Sequence, residues 1–358
     1  MIEMFKSLFG RKAESVSLQP IGETILFNAY CTRLTIAQPA FAHTLHARRD
    51  LSDPELLEHL AGFCRHVQGR GDGAMSPDKY HVILHLQRVQ HHLSIAVGVD
   101  ATAALYEWAA HANAILLTPE GHVSDPQGRV LINAADGSAE AGASVPYPEK
   151  AVERKARTEA MLAARGINVP DTLPPLVCEG ELTLRTRDDV VERARALMLV
   201  ALRADSVTSG EPVPVEALLS KMPLADDALS PQEQAFLAQE APSQQECAQF
   251  IWRYESLYLL EWVLGLVDVL PYPGTPADSA SVVATLIEMR GPQLRAPGEI
   301  LDALDLHYRL HWHIRQSRLK KLGDAEDLDA DVVMQRHHTL NWLVRFQHAP
   351  WDEVDTPT

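Results

Sequence analysis

The chain is short of the residues that usually advertise a chemistry. Its four cysteines, Cys31, Cys64, Cys178 and Cys247, are far apart and form no C-x-x-C pair, which argues against a zinc ribbon or a disulfide framework and fits reduced thiols. No stretch approaches the ~20 uncharged apolar residues of a membrane span. The segment Met1 to Lys12 lacks an uninterrupted apolar run and a small-residue cleavage site, so a secretory leader is not expected. Positive charge is scarce: 32 Lys and Arg stand against 48 Asp and Glu, and the formal net charge of -16 opposes non-specific attraction to nucleic-acid phosphates or anionic lipid. There is no G-x-S-x-G elbow and no H-E-x-x-H. Gly69-Arg70-Gly71-Asp72-Gly73 lacks the G-x-G-x-x-G register, a Walker lysine and a strand immediately before it, so it reads as a loop. The expectation is a cytoplasmic protein with no cofactor, no nucleic-acid partner and no membrane association.

What is present is core-forming material. At 358 residues and 46% hydrophobic, the chain is long enough for two or three domains. Thr24 to Ile36 is rich in β-branched and aromatic residues. A helix follows, opened by Ser52-Asp53-Pro54-Glu55 and carrying Leu56, Leu57, Leu60 and Phe63 at helical spacing. Val82, Leu84 and Leu86 alternate with His81, Ile83, His85 and Gln87, and Leu93, Ile95, Val97 and Val99 alternate after His91-His92. This predicts two strands joined by a short turn. Asp100 is placed to cap a helix running to about Asn113, and Ile115-Leu116-Leu117 leads into turns at Pro119-Glu120-Gly121 and Asp125-Pro126-Gln127-Gly128. The picture is a small antiparallel sheet with helices on one face.

Ala134 to Pro148 is rich in Ala, Gly, Ser and acidic residues and has no hydrophobic period. Beyond it the strand signals stop. Helices are expected near 150–165, 187–204, 231–240, 244–269, 279–290, 298–322 and 330–347, with capping boxes at Ser230-Pro231-Gln232-Glu233 and Ser243-Gln244-Gln245-Glu246 and a stop at Gly323. The expected organisation is α+β: an N-terminal extension over 1–20, a sheet-containing domain over 21–135, a linker over 136–150 and a larger all-α domain over 151–358.

The unusual charges lie in these helices. Projected at ~100° per residue, Ile251, Tyr258, Leu259, Trp262 and Leu266 form an apolar stripe with Glu255 in its middle, and Val332, Val333, Leu340 and Leu343 form another with Arg336 in its middle. A buried charge is expensive unless paired, so the two are expected to be buried together in salt-bridge contact, or to share Asp302 or Asp305. Asp302, Asp305, Arg309 and Gln316 share one polar strip, with Asp305 and Arg309 at the favourable i,i+4 spacing. Two roles suit Glu255, Asp302, Asp305, Arg309 and Arg336. They are ion pairs that fix how helices dock, or they line a pocket where a desolvated carboxylate acts as a general base and the arginines hold an anion. The docking role is favoured, because no nucleophile motif accompanies them.

His307 and His311 are i,i+4 and are the best metal-ligand candidates, but their neighbours Ile300, Leu304 and Ile314 make them core or boundary residues instead. His337 and His338 point apart as helix neighbours. His81, His85, His91 and His92 are placed either to cluster across a hairpin or to line a solvated sheet face, and the two readings fit equally. Trp252, Trp262, Trp312, Trp342 and Trp351 read as bundle core.

Several motifs occur in a recognisable order. They are Gly166-Ile167 with Leu173-Pro174-Pro175, Trp252-Arg253-Tyr254-Glu255 with Leu260-Glu261-Trp262-Val263-Leu264-Gly265, and Arg295-Ala296-Pro297-Gly298-Glu299-Ile300-Leu301-Asp302. Asp305-Leu306-His307-Tyr308-Arg309-Leu310-His311-Trp312 follows, then Arg336-His337-x-x-Leu340-Asn341-Trp342-Leu343 and an ending from Trp351 to Thr358. Over about 152–358 the chain resembles a bacterial family known only as a domain of unknown function, number forty-two seventy-two. The resemblance implies a helical fold with recurring polar positions and supplies no activity. Gln335 stands where the pattern has an acid, and Pro357 replaces another.

The functional expectation is a non-catalytic binding or interaction protein, immunity-type or regulatory, whose acidic surface meets another protein. The alternative is a hydrolase-like enzyme or small-anion binder built on the five charged residues; a metal-dependent enzyme using His307 and His311 ranks below both.

Overall fold

The first strands are set by alternation. In β1 (Thr24–Cys31), Phe27, Ala29 and Cys31 enter one core while Asn28 and Tyr30 face the other way. The structure, a computed structural model, describes residues 22–222, 228–321 and 327–358; the expected 1–20 extension and the helix stop at Gly323 lie outside them. Two compact units divide the chain, Met1–Pro146 and Tyr147–Thr358.

The N-terminal unit is a six-stranded antiparallel sheet in the order β2-β3-β1-β4-β5-β6. Its other strands are β2 (His43–Asp50), β3 (His91–Gly98), β4 (Ala114–Leu117), β5 (Val123–Ser124) and β6 (Val130–Ile132). Three helices join them: α1 (Pro54–Gln68), α2 (Pro77–Leu86) and α3 (Thr102–His111). Leu105, Trp108 and Ala109 of α3 close one face over Phe27, Leu93, Ile95 and Leu116. On the other face Tyr30 packs against His59 and Phe63 of α1. Helices therefore cover both faces, not the one expected.

Residues 82–86, expected as a strand, form the last turns of α2. Ser76 caps this helix by accepting from the Lys79 N–H, Pro77 opens it, and Val82, Ile83 and Leu86 are its buried apolar residues. Their i, i+1, i+4 spacing is helical, and the apparent alternation came from histidines that are not all solvent-facing. His85 is fully buried with Nε2 on the Tyr30 carbonyl. Asp100 does not cap α3. It lies in a 3-10 turn over Val99–Ala101, and Ala101 precedes the helix without a side-chain cap. The Ala- and Gly-rich stretch after β6 starts as part of the N-terminal unit, because the Glu140 N–H donates to the Val130 carbonyl and its carboxylate accepts from the Val130 N–H.

The second unit is helical, and no strand occurs among its described residues. It runs α4 (Glu149–Ala164), α5 (Arg187–Thr208), α6 (Val215–Lys221), α7 (Pro231–Leu237), α8 (Gln244–Ile251), α9 (Arg253–Val263), α10 (Ser279–Ile287), α11 (Pro297–Leu319) and α12 (Ala330–Leu343). Both expected capping boxes are formed, Ser230 with Glu233 and Ser243 with Glu246. The single helix expected over 244–269 is broken at Trp252 and ends at Val263. There Gly265 adopts a φ of +70°, and the Leu266 N–H reaches back to the Glu261 carbonyl. α5 is the central helix. Its Val190, Ala194, Leu197 and Ala201 enter a core with α9, α10, α11 and α12, while Ala196, Leu199 and Val200 enter a second with α7 and α8. Among the described residues no helix is long and apolar enough to cross a membrane.

Candidate functional site

The two apolar stripes that singled out Glu255 and Arg336 meet. Arg336 is completely buried and Glu255 is 2% exposed. Arg336 Nε donates to Glu255 Oε1 at 2.6 Å. The pair also holds backbone: Arg336 Nη1 donates to the Pro271 carbonyl at 2.6 Å and Glu255 Oε2 accepts from the Ala277 N–H at 2.8 Å. One ion pair thus fixes α9 to α12 and pins the segment between α9 and α10.

Asp305 and Arg309 form a second group one turn apart on α11. Their contact is bidentate, at 3.0 and 2.9 Å, and both are buried. The rest of the guanidinium reaches Glu159 of α4 at 3.1 Å and the Pro174 carbonyl at 3.2 Å. Asp302 belongs to a third. It is exposed and receives Arg154 Nε at 2.7 Å and Arg157 at 3.1 Å, while Arg154 also binds Glu179 at 2.7 Å. The five candidate charges are therefore dispersed over three groups, each with partners of its own. The described cleft of about 570 Å³ in this unit, bordered by Arg203, Pro214, Leu219 and Leu237, contains none of them.

The histidines do not converge on a metal. His307 Nδ1 bonds to the Ala303 carbonyl at 2.7 Å, whereas His311 Nδ1 meets His337 Nδ1 at 3.0 Å. A contact between two ring nitrogens requires one proton shared between them, so both rings cannot be charged. Burial lowers all three from their ordinary value, His307 to about 3 and His311 to about 4, and His337 falls well below 6.5. Among the described residues no group of three or more His, Cys, Asp or Glu is arranged to hold a metal. In the N-terminal unit His85, His91 and His92 bond separately to the Tyr30 carbonyl, the Leu34 carbonyl and Asn28 Oδ1, so the expected shared hairpin face does not exist.

Other buried charges escaped the sequence reading. Arg193 of α5 grips both oxygens of Glu233, whose capping role was legible but whose burial was not. Arg253 adds a contact to Glu233 at 3.5 Å, and both guanidinium groups lie over the Trp351 ring. Glu261 is fully buried with neither carboxylate oxygen bonded, and burial pushes its pKa up to about 8. The signal that would have found Arg193 and Glu261 is the one that found Arg336, a charge among residues that are otherwise core. Arg193 sits beside Val190 and Leu197, Glu261 between Leu257 and Leu264.

The recurring motifs are thus mostly joints. Arg295 gathers the carbonyls at the end of α9, from Trp262 at 2.7 Å, Val267 at 2.6 Å and Asp268 at 2.8 Å, and its guanidinium stacks over the Trp262 ring. Asn341 donates to the Asp355 carbonyl and His338 bonds to that of Trp351, so the terminal motif is tied to α12. These features describe a helical unit held by buried guanidinium clasps. Residues 154–354 match the model of the family described as "Domain of unknown function (DUF4272)", and the chain belongs to that family. No curated protein and no solved structure gives a significant match.

Proposed function

We propose that this is a cytoplasmic, non-catalytic binding protein, of immunity or regulatory type, that uses its acidic surface to engage another protein. What supports the reading is the way Glu255, Arg336, Asp305 and Arg309 are used. Glu255, Arg336 and Arg309 are each bonded to an opposite charge and to backbone, and Asp305 is held by Arg309 through both of its oxygens, an arrangement that suits holding a shape better than moving a proton or holding an anion. The net charge of -16 adds long-range attraction for a basic partner and repulsion for polyanions.

The alternative, a hydrolase-like enzyme or small-anion binder, requires the five charges to share one pocket. It draws less support, because Asp302 lies exposed with Arg154 and Arg157 while Glu255 is closed against Arg336 and Ala277. Affinity capture from native lysate tests the choice. One stoichiometric protein, competed by free protein and released by raised salt, is expected. Turnover of model esters or phosphoesters that disappears in the surface variant Asp302→Asn, with the fold intact, would overturn the reading.

A further inference from the structure

A cleft of about 640 Å³ opens in the N-terminal unit between α1 and the sheet face that α3 does not cover. That size is within the usual range for small-ligand sites, roughly 300–1,000 Å³. Its floor follows from the strand register. Arg49 of β2 lies opposite His92 of β3, and His92 lies opposite Tyr30 of β1, so the three side chains form one row across the sheet. The wall is the α1 face carrying His59, Arg65 and His66. Tyr30 stacks with both His59 and His92, and its hydroxyl bonds to His59 Nε2 at 2.9 Å.

The cleft holds hydrogen-bond donors with nothing to receive them. Arg70 Nη2 donates to His66 Nδ1 at 2.7 Å. A guanidinium has no lone pair to offer, so Nδ1 is the acceptor and the proton of the neutral ring sits on Nε2. That N–H is buried and has no partner. Arg65 has no ion pair among the described residues, and Arg49 is held only loosely, by Asp53 and Glu55 at 3.5 Å each. Glu55 and Glu58 also border the cleft, but the charge that reaches both His59 and His92 is that of Arg49. Burial depresses both His59 and His92, the latter to about 4; the Arg49 charge adds to the effect at His59, and the His59 ring and then Arg49 add to it at His92.

We propose that this cleft is a binding site for a small oxyanion-bearing molecule, a carboxylate or a phosphate, seated on Arg49, Arg65 and the His66 Nε2–H. The ring row of Tyr30, His59 and His92 beside it favours a ligand that carries a flat group next to its charge. The inference concerns the unit outside the family match and is independent of the protein-binding role.

The test is a histidine-imidazole NMR titration of the full chain with two probes, sodium benzoate and inorganic phosphate, at constant ionic strength. Saturable shifts of His59 and His66 at low-millimolar probe are expected, with the His59 pKa rising on saturation because the anion offsets Arg49. Arg49→Gln should weaken binding about tenfold or more, and the exposed Arg65→Gln, chosen in case the strand variant misfolds, should weaken it measurably. Preference for benzoate would assign a ring-bearing carboxylate, and preference for phosphate a phosphoryl group; either supports the site. No saturation with either probe, or saturation unchanged in a folded variant, overturns it.

Discussion

Replacing Arg336 by Leu leaves the Glu255 carboxylate buried at 2% exposure with the Ala277 N–H as its remaining partner. Replacing Glu255 by Leu leaves the Arg336 guanidinium with only the Pro271 carbonyl and the distant face of Tyr258. Breaking one side of such a pair costs about 3–5 kcal/mol. If the losses were additive, the double variant would lose roughly 6–10 kcal/mol, comparable with the whole stability of many domains. It should instead lose much less. The charge problem vanishes, two leucines fill the space, and what remains is an unpaired N–H at 277 and an unpaired C=O at 271, each costing about 1–3 kcal/mol before relaxation. A coupling energy of several kcal/mol is therefore expected. Urea unfolding followed by tryptophan fluorescence measures it on the relevant unit, because every tryptophan except Trp108 lies beyond residue 146. Additivity within about 0.5 kcal/mol would mean that Glu255 and Arg336 do not depend on each other, and the burial argument would fail.

Four further outcomes follow from the same contacts. Glu261 is pushed up from the ordinary 4.5 to about 8 in the fold, so the folded state binds the extra proton: Glu261→Gln should be neutral below pH 4.5 and stabilise increasingly up to pH 8, by roughly 4–5 kcal/mol at most, and a flat difference across that range would refute it. His307, His311 and His337 are depressed in the fold, so the stability they confer is present above the unfolded value near 6.5 and drains away as pH falls toward 4 and 3; replacing His307 by Gln should flatten the acid limb of a thermal-melt series. Arg309→Lys cannot keep the fork on Asp305 together with Glu159 and Pro174, and should cost about 2 kcal/mol or more by chemical denaturation. Limited proteolysis should cut after Glu140, where the backbone is no longer bonded to β6, and yield two folded fragments; degradation of either half would contradict independent folding.

The helical unit was legible because its signals are local. Ser230 and Glu233 announce a helix start within four residues, and Glu255 or Arg336 inside an apolar stripe announces a buried charge in need of a partner. What periodicity does not carry is the address of the partner. Asp302 looked like a companion of Asp305 because the two share α11, yet its partners lie on α4, and nothing in a helical wheel encodes which helix will be opposite. The sheet unit was read less well for a related reason. α2 is ten residues long, and of its histidines His81 is half-buried and His85 fully buried, so period 2 and period 3.6 fit equally over a window that short. β2, with the sequence His-Thr-Leu-His-Ala-Arg-Arg-Asp, lacks an apolar face of its own and became a strand by pairing with β3.

The clasp between α4 and α11 also has a kinetic side. Arg154 reaches Asp302 across 148 positions of sequence, and Arg309 reaches Glu159 across 150. Contacts of that span close long loops, and the entropy of bringing their ends together must be met before the guanidinium groups return anything. Such contacts are expected on the late side of the folding barrier, where an interaction slows escape from the native state without hastening arrival. The α4 joint is then expected to act as a brake on unfolding, and its loosening would appear as a shorter native lifetime well before it appeared as a change of shape.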